Sequence, residues 1–260
     1  MLFLLERLLP LRKATRALAA RLLVNVALSA LTYGAAYLLV KPAALGALRW
    51  SAEKPFGLLH LVPLPLWAQY LAAFLLLDLA FYYWHVLNHR VPFLWRFHNV
   101  HHFDPDLDVS TGFRFHFGEV AFSTVFRVVQ VALIGVSLPQ FIAYEMLFQA
   151  STLFEHSNLR LPEKLERGIN LVFVTPRMHG IHHSQIRAET DSNFSVVFSF
   201  WDRLHRSLRL NVPQDQIKIG VPGYAEPGDN AVLASLTAPF RKQRDYWPGS
   251  TGQRQDPEAR

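Results

Sequence analysis

The chain has no cysteine. Disulfides, iron–sulfur clusters on thiolates, cysteine nucleophiles and cysteine-type zinc fingers are therefore excluded. Charge is scarce as well: 18% of the 260 residues are Asp, Glu, Lys or Arg, against roughly 25% in a soluble domain. No G-x-G-x-x-G occurs, so there is no signature for a bound flavin or nicotinamide. No internal repeat or low-complexity tract is present. What the chain has in plenty is apolar surface: 51% hydrophobic residues, with 20 Phe and 6 Trp. That composition excludes disorder and collagen and points to a membrane protein. The 26 Lys and Arg outnumber the 20 Asp and Glu. They flank apolar runs, which suits a cytosolic membrane face. Nucleic acid as a partner has no motif behind it.

Four apolar runs are candidate membrane segments. Ala17 to Val40 would make a helix roughly 36 Å long, enough to cross with some tilt, with Arg21 snorkelling near its start. Leu66 to Trp84 is also long enough. Val120 to Val136 is marginal and holds Arg127 and Gln130; Phe141 to Phe154 is short. Ser137 to Gln140 reads as a tight turn between these two, which then form a thin spanning or re-entrant hairpin. Arg7, Arg12, Lys13, Arg16 and Arg21 before the first run outnumber Lys41, Arg49 and Lys54 after it. That bias puts the N-terminus in the cytosol, with the segments that follow the second and fourth runs. Met1 to Arg21 lacks the order of a signal peptide and reads as interfacial and amphipathic. The expected organisation is an interfacial segment over 1–16, one membrane and metal-binding domain over 17–222, and a polar tail over 223–260 with a loose end.

Histidine is the remaining resource for metal chemistry. Ten of the 12 lie between His85 and His183, and eight of these form three clusters. They are His85 and His89; His98, His101 and His102; and His179, His182 and His183. On a helix, positions i, i+3 and i+4 share a face, so each cluster presents its imidazoles to one point. Several neutral nitrogen donors aimed at one point are what a metal site requires. Local signals favour helices: Pro92 can start one that leads to His98, and Thr175 with Pro176 reads as N-cap and N1 before His179. Asp78, Tyr82, His85 and His89 fall on one helical face. An aspartate inside an apolar span is costly, and orienting a ligand histidine would justify it. His60 and His205 stand outside the clusters and are expected to have ordinary roles.

These motifs resemble the fatty acid hydroxylase and sterol desaturase superfamily of membrane di-iron proteins. D-L-A-F-Y-Y-W-H-V-L-N-H (78–89) and W-R-F-H-N-V-H-H (95–102) look like its first two boxes. R-F-H-F-G-E (114–119) is similar to R-x-H-P-x-E, with Phe117 in place of proline. F-E-H-S-N (154–158) and P-R-M-H-G-I-H-H-S (176–184) match later elements. Residues 191–202 resemble the family's N-Y-G and W-D-R-L-F-G-T tail, with Phe194 for tyrosine, Ser195 for glycine and, just beyond, His205 for phenylalanine. The resemblance implies an all-α fold: a helical membrane bundle of about four helices with a cytosolic helical cap around a dinuclear site. It implies as ligands His85, His89, His98, His101, His102, His116, His156, His179, His182 and His183, with His116 either a ligand or a support. Tyr82, Glu119, Asn158, Asn193 and Asp202 would join Asp78 behind the ligands.

The implied chemistry is O2-dependent hydroxylation or desaturation of a lipid by two iron ions, with zinc able to load a recombinant protein. Fatty acyl chains, sterols, carotenoids, ether lipids and amino-acid lipids are all admissible substrates. Electrons would come from a separate ferredoxin- or cytochrome b5-like donor, for which basic residues such as Arg90, Arg96, Arg160, Lys164 and Arg167 are a candidate surface. The lack of a fused reductase and the use of 20 Arg against 6 Lys point to a bacterial inner membrane. Three rivals stand beside this reading: an aldehyde-processing member of the same superfamily, a metal transporter or sensor, and a member that keeps metal for structure alone. Transport would place the ligands at mid-membrane on broken helices, whereas these boxes sit beyond the span ends.

Overall fold

A computed structural model describes residues 1–54 and 56–248; residues 249–260, the end of the expected tail, lie outside the described residues. Among the described residues all regular structure is helical, and only isolated bridges such as Phe173 with Phe198 pair extended backbone. α1 (Leu2–Leu8) precedes α2 (Leu18–Ala35), which continues through a π-helical turn (Ala36–Val40) into α3 (Lys41–Glu53). Then come α4 (Leu66–Arg90), α5 (Pro92–His102), α6 (Phe117–Ile134) and α7 (Leu138–His156). Short helices complete the cap: α8 (Glu163–Asn170), α9 (Pro176–His182), α10 (Arg187–Thr190), α11 (Phe200–Leu204) and α12 (Val232–Thr237).

Among the described residues three helical runs are long and apolar enough to cross a membrane: the run from Leu18, α4 and α6. α7, expected as a fourth thin segment, is not among them. α4 and α7 lie side by side, Phe74 against Tyr144 and Phe81 against Phe148, and both run toward their C-terminal histidines. α6 runs the other way: Trp84 stacks on Phe126, and Gln130 Nε2 donates to the Leu77 carbonyl (2.9 Å). Ala73, Leu77, Phe81, Val131, Ile134 and Tyr144 form the buried core between these helices.

The first run departs from expectation. Arg21 does not snorkel: it is 3% exposed and donates to Asp104 (2.7 and 2.8 Å) and Asp108 (2.8 Å). The same helix face continues with Asn25, which donates to Asp104 and Ser110, then Ser29 and Thr32, which donate to the carbonyls of Phe113 and Phe115. The start of α2 is therefore clamped to the 104–115 segment, and the helical run does not stop at Val40 but goes on through Lys41 and Arg49. α6 ends at Gly135 (φ 77°), pressed against Gly57 (φ 111°) and His60, at the end of the bundle away from the histidines.

Both terminal segments pack on the cap. Glu6 on α1 is buried and accepts from the amides of Val109 and Asn158, while Leu4 and Leu8 stay exposed. The tail up to Pro248 is ordered against the cap: Tyr224 stacks on Phe103 and Arg114 reaches Ser235.

Candidate metal centre

α4 ends because Pro92 holds Val91 extended (φ −93°, ψ 112°), and Pro92 then opens α5. The sharp turn folds α5 back, so His85 and His89 on α4 face His98 and His102 on α5. α9 begins as the sequence suggests, with Thr175 at N-cap and Pro176 at N1, and adds His182 to them. The result is a first group of His85, His89, His98, His102 and His182. His101 from the other side of α5, His156 at the end of α7, and His179 and His183 make a second group. In each group one ring nitrogen per residue lies within 4.8 Å of all the others. The groups abut, since the His102 and His183 rings stack at 4.3 Å.

Proton placement tests whether a cation fits. A carbonyl only accepts, so a ring nitrogen bonded to one must carry the hydrogen. His85 Nδ1 donates to the Phe194 carbonyl (2.8 Å), His101 Nδ1 to Arg114 (3.1 Å), His156 Nδ1 to Thr152 (2.7 Å) and His182 Nδ1 to Ser192 (2.7 Å). His98 Nδ1 donates to the Glu119 carboxylate (2.9 Å). In the four rings bonded to carbonyls the hydrogen sits on Nδ1, and a bare Nε2 lone pair turns inward. His156 and His101 bring two such nitrogens to 3.0 Å, and His179 and His183 approach with Nε2–Nε2 distances of 3.0 and 3.1 Å in the same group. Facing lone pairs repel, and buried acceptors without a partner are costly. A cation between them removes both penalties, and these separations suit neighbouring donors around one ion bonded at about 2.0–2.1 Å. In the first group the Nε2 atoms of His89, His98, His102 and His182 are buried with no hydrogen-bond partner.

Burial and the charges of neighbouring imidazoles push His101, His102, His179 and His183 well below the ordinary histidine value. Burial takes His182 down to about 3, against the opposing pull of the Ser192 carbonyl. The rings are therefore neutral at physiological pH, the state in which imidazole binds a metal.

Of the ten expected ligands, nine converge and His116 does not. Its Nδ1 accepts from the Gly118 amide (2.9 Å) and its Nε2 donates to the Leu236 carbonyl (3.1 Å), so it caps α6. Glu119 orients His98. Asp78 bonds no histidine. It accepts from the Tyr144 hydroxyl (2.9 Å), the Phe198 amide (3.0 Å) and the Trp201 indole (2.9 Å), tying α4 to α7 and to the 197–201 turn. Asp202 accepts from the amides of Phe194 and Ser195, and Asn193 (φ 55°) bonds the Met178 and Arg209 carbonyls. Together they fix the Phe194 carbonyl that holds His85. Tyr82 bonds Ser207 and stacks on His205, while Asn158 anchors the backbone of Arg12. Sequence reasoning missed Glu155, buried at 1% exposure, with Oε2 3.8 Å from His179 Nδ1 and Oε1 3.6 Å from His156 Nδ1. Its place beside His156 in F-E-H-S-N was the available signal.

Apolar helices fit to cross a bilayer, one of which (α4) ends in His85 and His89, and two histidine groups that could hold metal ions define a helical membrane protein with a candidate metal centre. All nine converging histidines fall within residues 70–207, over which the chain matches the fatty acid hydroxylase family, and the chain belongs to that family. It is similar to the ornithine lipid hydroxylase OlsE of Rhizobium tropici, 29% identical over 69% of this chain and 52% of that protein. It is similar to the alkylglycerol monooxygenase of Homo sapiens, 28% identical over 53% of this chain and 30% of that one. Cholesterol 25-hydroxylase of Homo sapiens is 28% identical over 62% of this chain and 59% of its own. The chain thus spans less than two thirds of the length of each of these relatives. No solved structure matches it.

Proposed function

We propose that the chain is an O2-dependent lipid hydroxylase that works with two iron ions. The observation that carries this reading is the pair of abutting, buried all-histidine groups with their lone pairs turned inward. His85, His89, His98, His102 and His182 would hold one ion, and His101, His156, His179 and His183 the other. Imidazole suits iron, and no thiolate is present to favour a softer ion. Bound there, two ferrous ions would supply two electrons for activating O2 at an unactivated C–H bond. The chain's own residues do the rest. The Phe194, Arg114, Thr152 and Ser192 carbonyls and the Glu119 carboxylate lock the ring tautomers. Phe194 packs its ring against His85, His89 and His182 and keeps water from that side of the site.

The lipid substrate is supported by the family and by the three relatives named above, which act on an ornithine lipid, an alkylglycerol and cholesterol. It is supported too by α4, an apolar helix that delivers His85 and His89 directly from a bilayer. The proposal includes a bacterial inner membrane, with the N-terminus and metal site cytosolic, in keeping with basic residues around the cap. An external donor of the ferredoxin or cytochrome b5 type would return the electrons.

Lipid extracts of a host expressing the chain under isotopically labelled O2 should contain a lipid carrying one labelled oxygen. The His182→Ala variant should not produce it. Identical lipid profiles for the two would remove the proposed activity.

A further inference from the structure

We infer that Trp247 and Trp95 form the electron-entry port of the histidine site, and that the arginines around Trp247 dock an acidic one-electron carrier. The inference rests on the proposed redox function. Trp95 is buried (5% exposed), and its ring lies 4.8 Å from that of His89 and 5.3 Å from that of His102. Trp247 stacks on the outer side of Trp95, with centroids 5.9 Å apart and planes 16° apart. Tyr246 packs edge-on against both indoles. Two short ring-to-ring steps thus connect a half-buried indole with two members of the first histidine group. Tunnelling falls off steeply with distance, so a carrier that settles over Trp247 gains a short route inward.

The surroundings of Trp247 carry the matching charge. The Arg187 guanidinium lies 5.5 Å from the Trp247 ring centroid. Arg187 and Arg90, 64% and 58% exposed, share Asp191 at 3.7 and 3.9 Å. Arg96 donates to the Arg241 carbonyl, and Arg241 and Lys242 are exposed. Among the described residues, Asp191 is the acid that Arg187 and Arg90 share, and Asp245 accepts from the Trp247 amide. Such a rim steers an acidic partner and orients it without needing a large interface, which suits a transient redox encounter. Trp247 lies beyond residues 70–207, so the family match does not assign it a role. In each encounter the carrier is oxidised by one electron and a ferric ion reduced by one; two encounters prepare both ions.

The test is anaerobic stopped-flow reduction of the iron-loaded, detergent-solubilised full chain. The probes are two acidic carriers, a reduced plant-type [2Fe–2S] ferredoxin and the reduced soluble domain of cytochrome b5. Photoreduced deazaflavin serves as a small donor that needs no docking. Trp247→Ala should lose most of its rate with the protein carriers, and Trp247→Phe, which keeps a ring, should recover part of it. Arg90→Glu/Arg187→Glu should be slower by about tenfold at low salt, with a flatter salt dependence. It should also bind oxidised ferredoxin more weakly in the metal-free state. All variants should accept electrons from deazaflavin at the unaltered rate, which shows fold and metal intact. Unaltered rates with the protein carriers in the Trp247→Ala and double arginine variants would overturn the port. So would failure of both carriers to reduce a chain that deazaflavin reduces. Failure of deazaflavin itself would instead strike the di-iron reading on which the port rests.

Discussion

An imidazole whose Nδ1 faces a carbonyl has no choice of tautomer, and four histidines of the site are held in that way. The tautomer leaves each Nε2 free to meet a cation before any ion arrives. Glu119→Ala would release His98 and should lower metal affinity by about 10–100-fold, read by chelator competition. Unchanged affinity would make the His98–Glu119 bond incidental. Asp78→Asn should behave differently, because Asp78 supports the 197–201 turn and bonds no histidine ring. It should lower stability by about 1–3 kcal/mol in thermal denaturation, with metal affinity nearly unchanged. The depressed histidines also set a pH dependence. Their folded pKa values lie below the unfolded value of about 6.5, and His182 falls to about 3. Between those limits the unfolded chain binds more protons, so stability rises with pH and is lost as pH falls below about 6.5. The melting temperature of metal-free protein should drop steadily over that window; a flat profile would contradict neutral, buried rings.

At the scale of elements, α2 shows how a helix read as membrane span can also be a structural clamp. Arg21, Asn25, Ser29 and Thr32 step by four, four and three along one face, and each binds the 104–115 segment. Removing one member of a buried ion pair leaves an uncompensated charge, so Arg21→Ala should cost about 3–5 kcal/mol by denaturant titration. A loss below about 1 kcal/mol, the range of exposed pairs, would mean the pair is solvated. The polar spacing was visible in the sequence. Its partners were not, because Asp104 lies 83 positions away and nothing local marks D-P-D-L-D as the far side of a clamp. At the other end of the bundle, a Cβ on Gly135 would come within 2.6 Å of the Phe56 carbonyl at a backbone φ of +77°. Gly135→Ala should therefore loosen the contact of α6 with the 56–60 turn. Where the signals were local, as at Thr175–Pro176, Val91–Pro92 and the turn before α7, the elements lie where the sequence puts them.

Across the whole molecule, the histidine boxes were legible because three short spacings carry them, but their sorting into two groups was not. His101 and His102 are neighbours in sequence yet join different groups, and the box at 179–183 likewise sends His182 to one and His179 and His183 to the other. Only the tertiary fold makes that division. It also separates His116 from the others: its motif is adjacent in sequence, but its ring closes on α12 and the start of α6, which favours the supporting role over the ligand role. The histidines thus form two abutting groups of different ligand parentage. The most direct test is metal content per chain of detergent-purified protein reconstituted anaerobically with ferrous iron, compared with His101→Ala and His182→Ala. Two ions per chain are expected, one for each group, with each substitution sharply reducing the content. A single ion, or no ion, in the unaltered chain would contradict it.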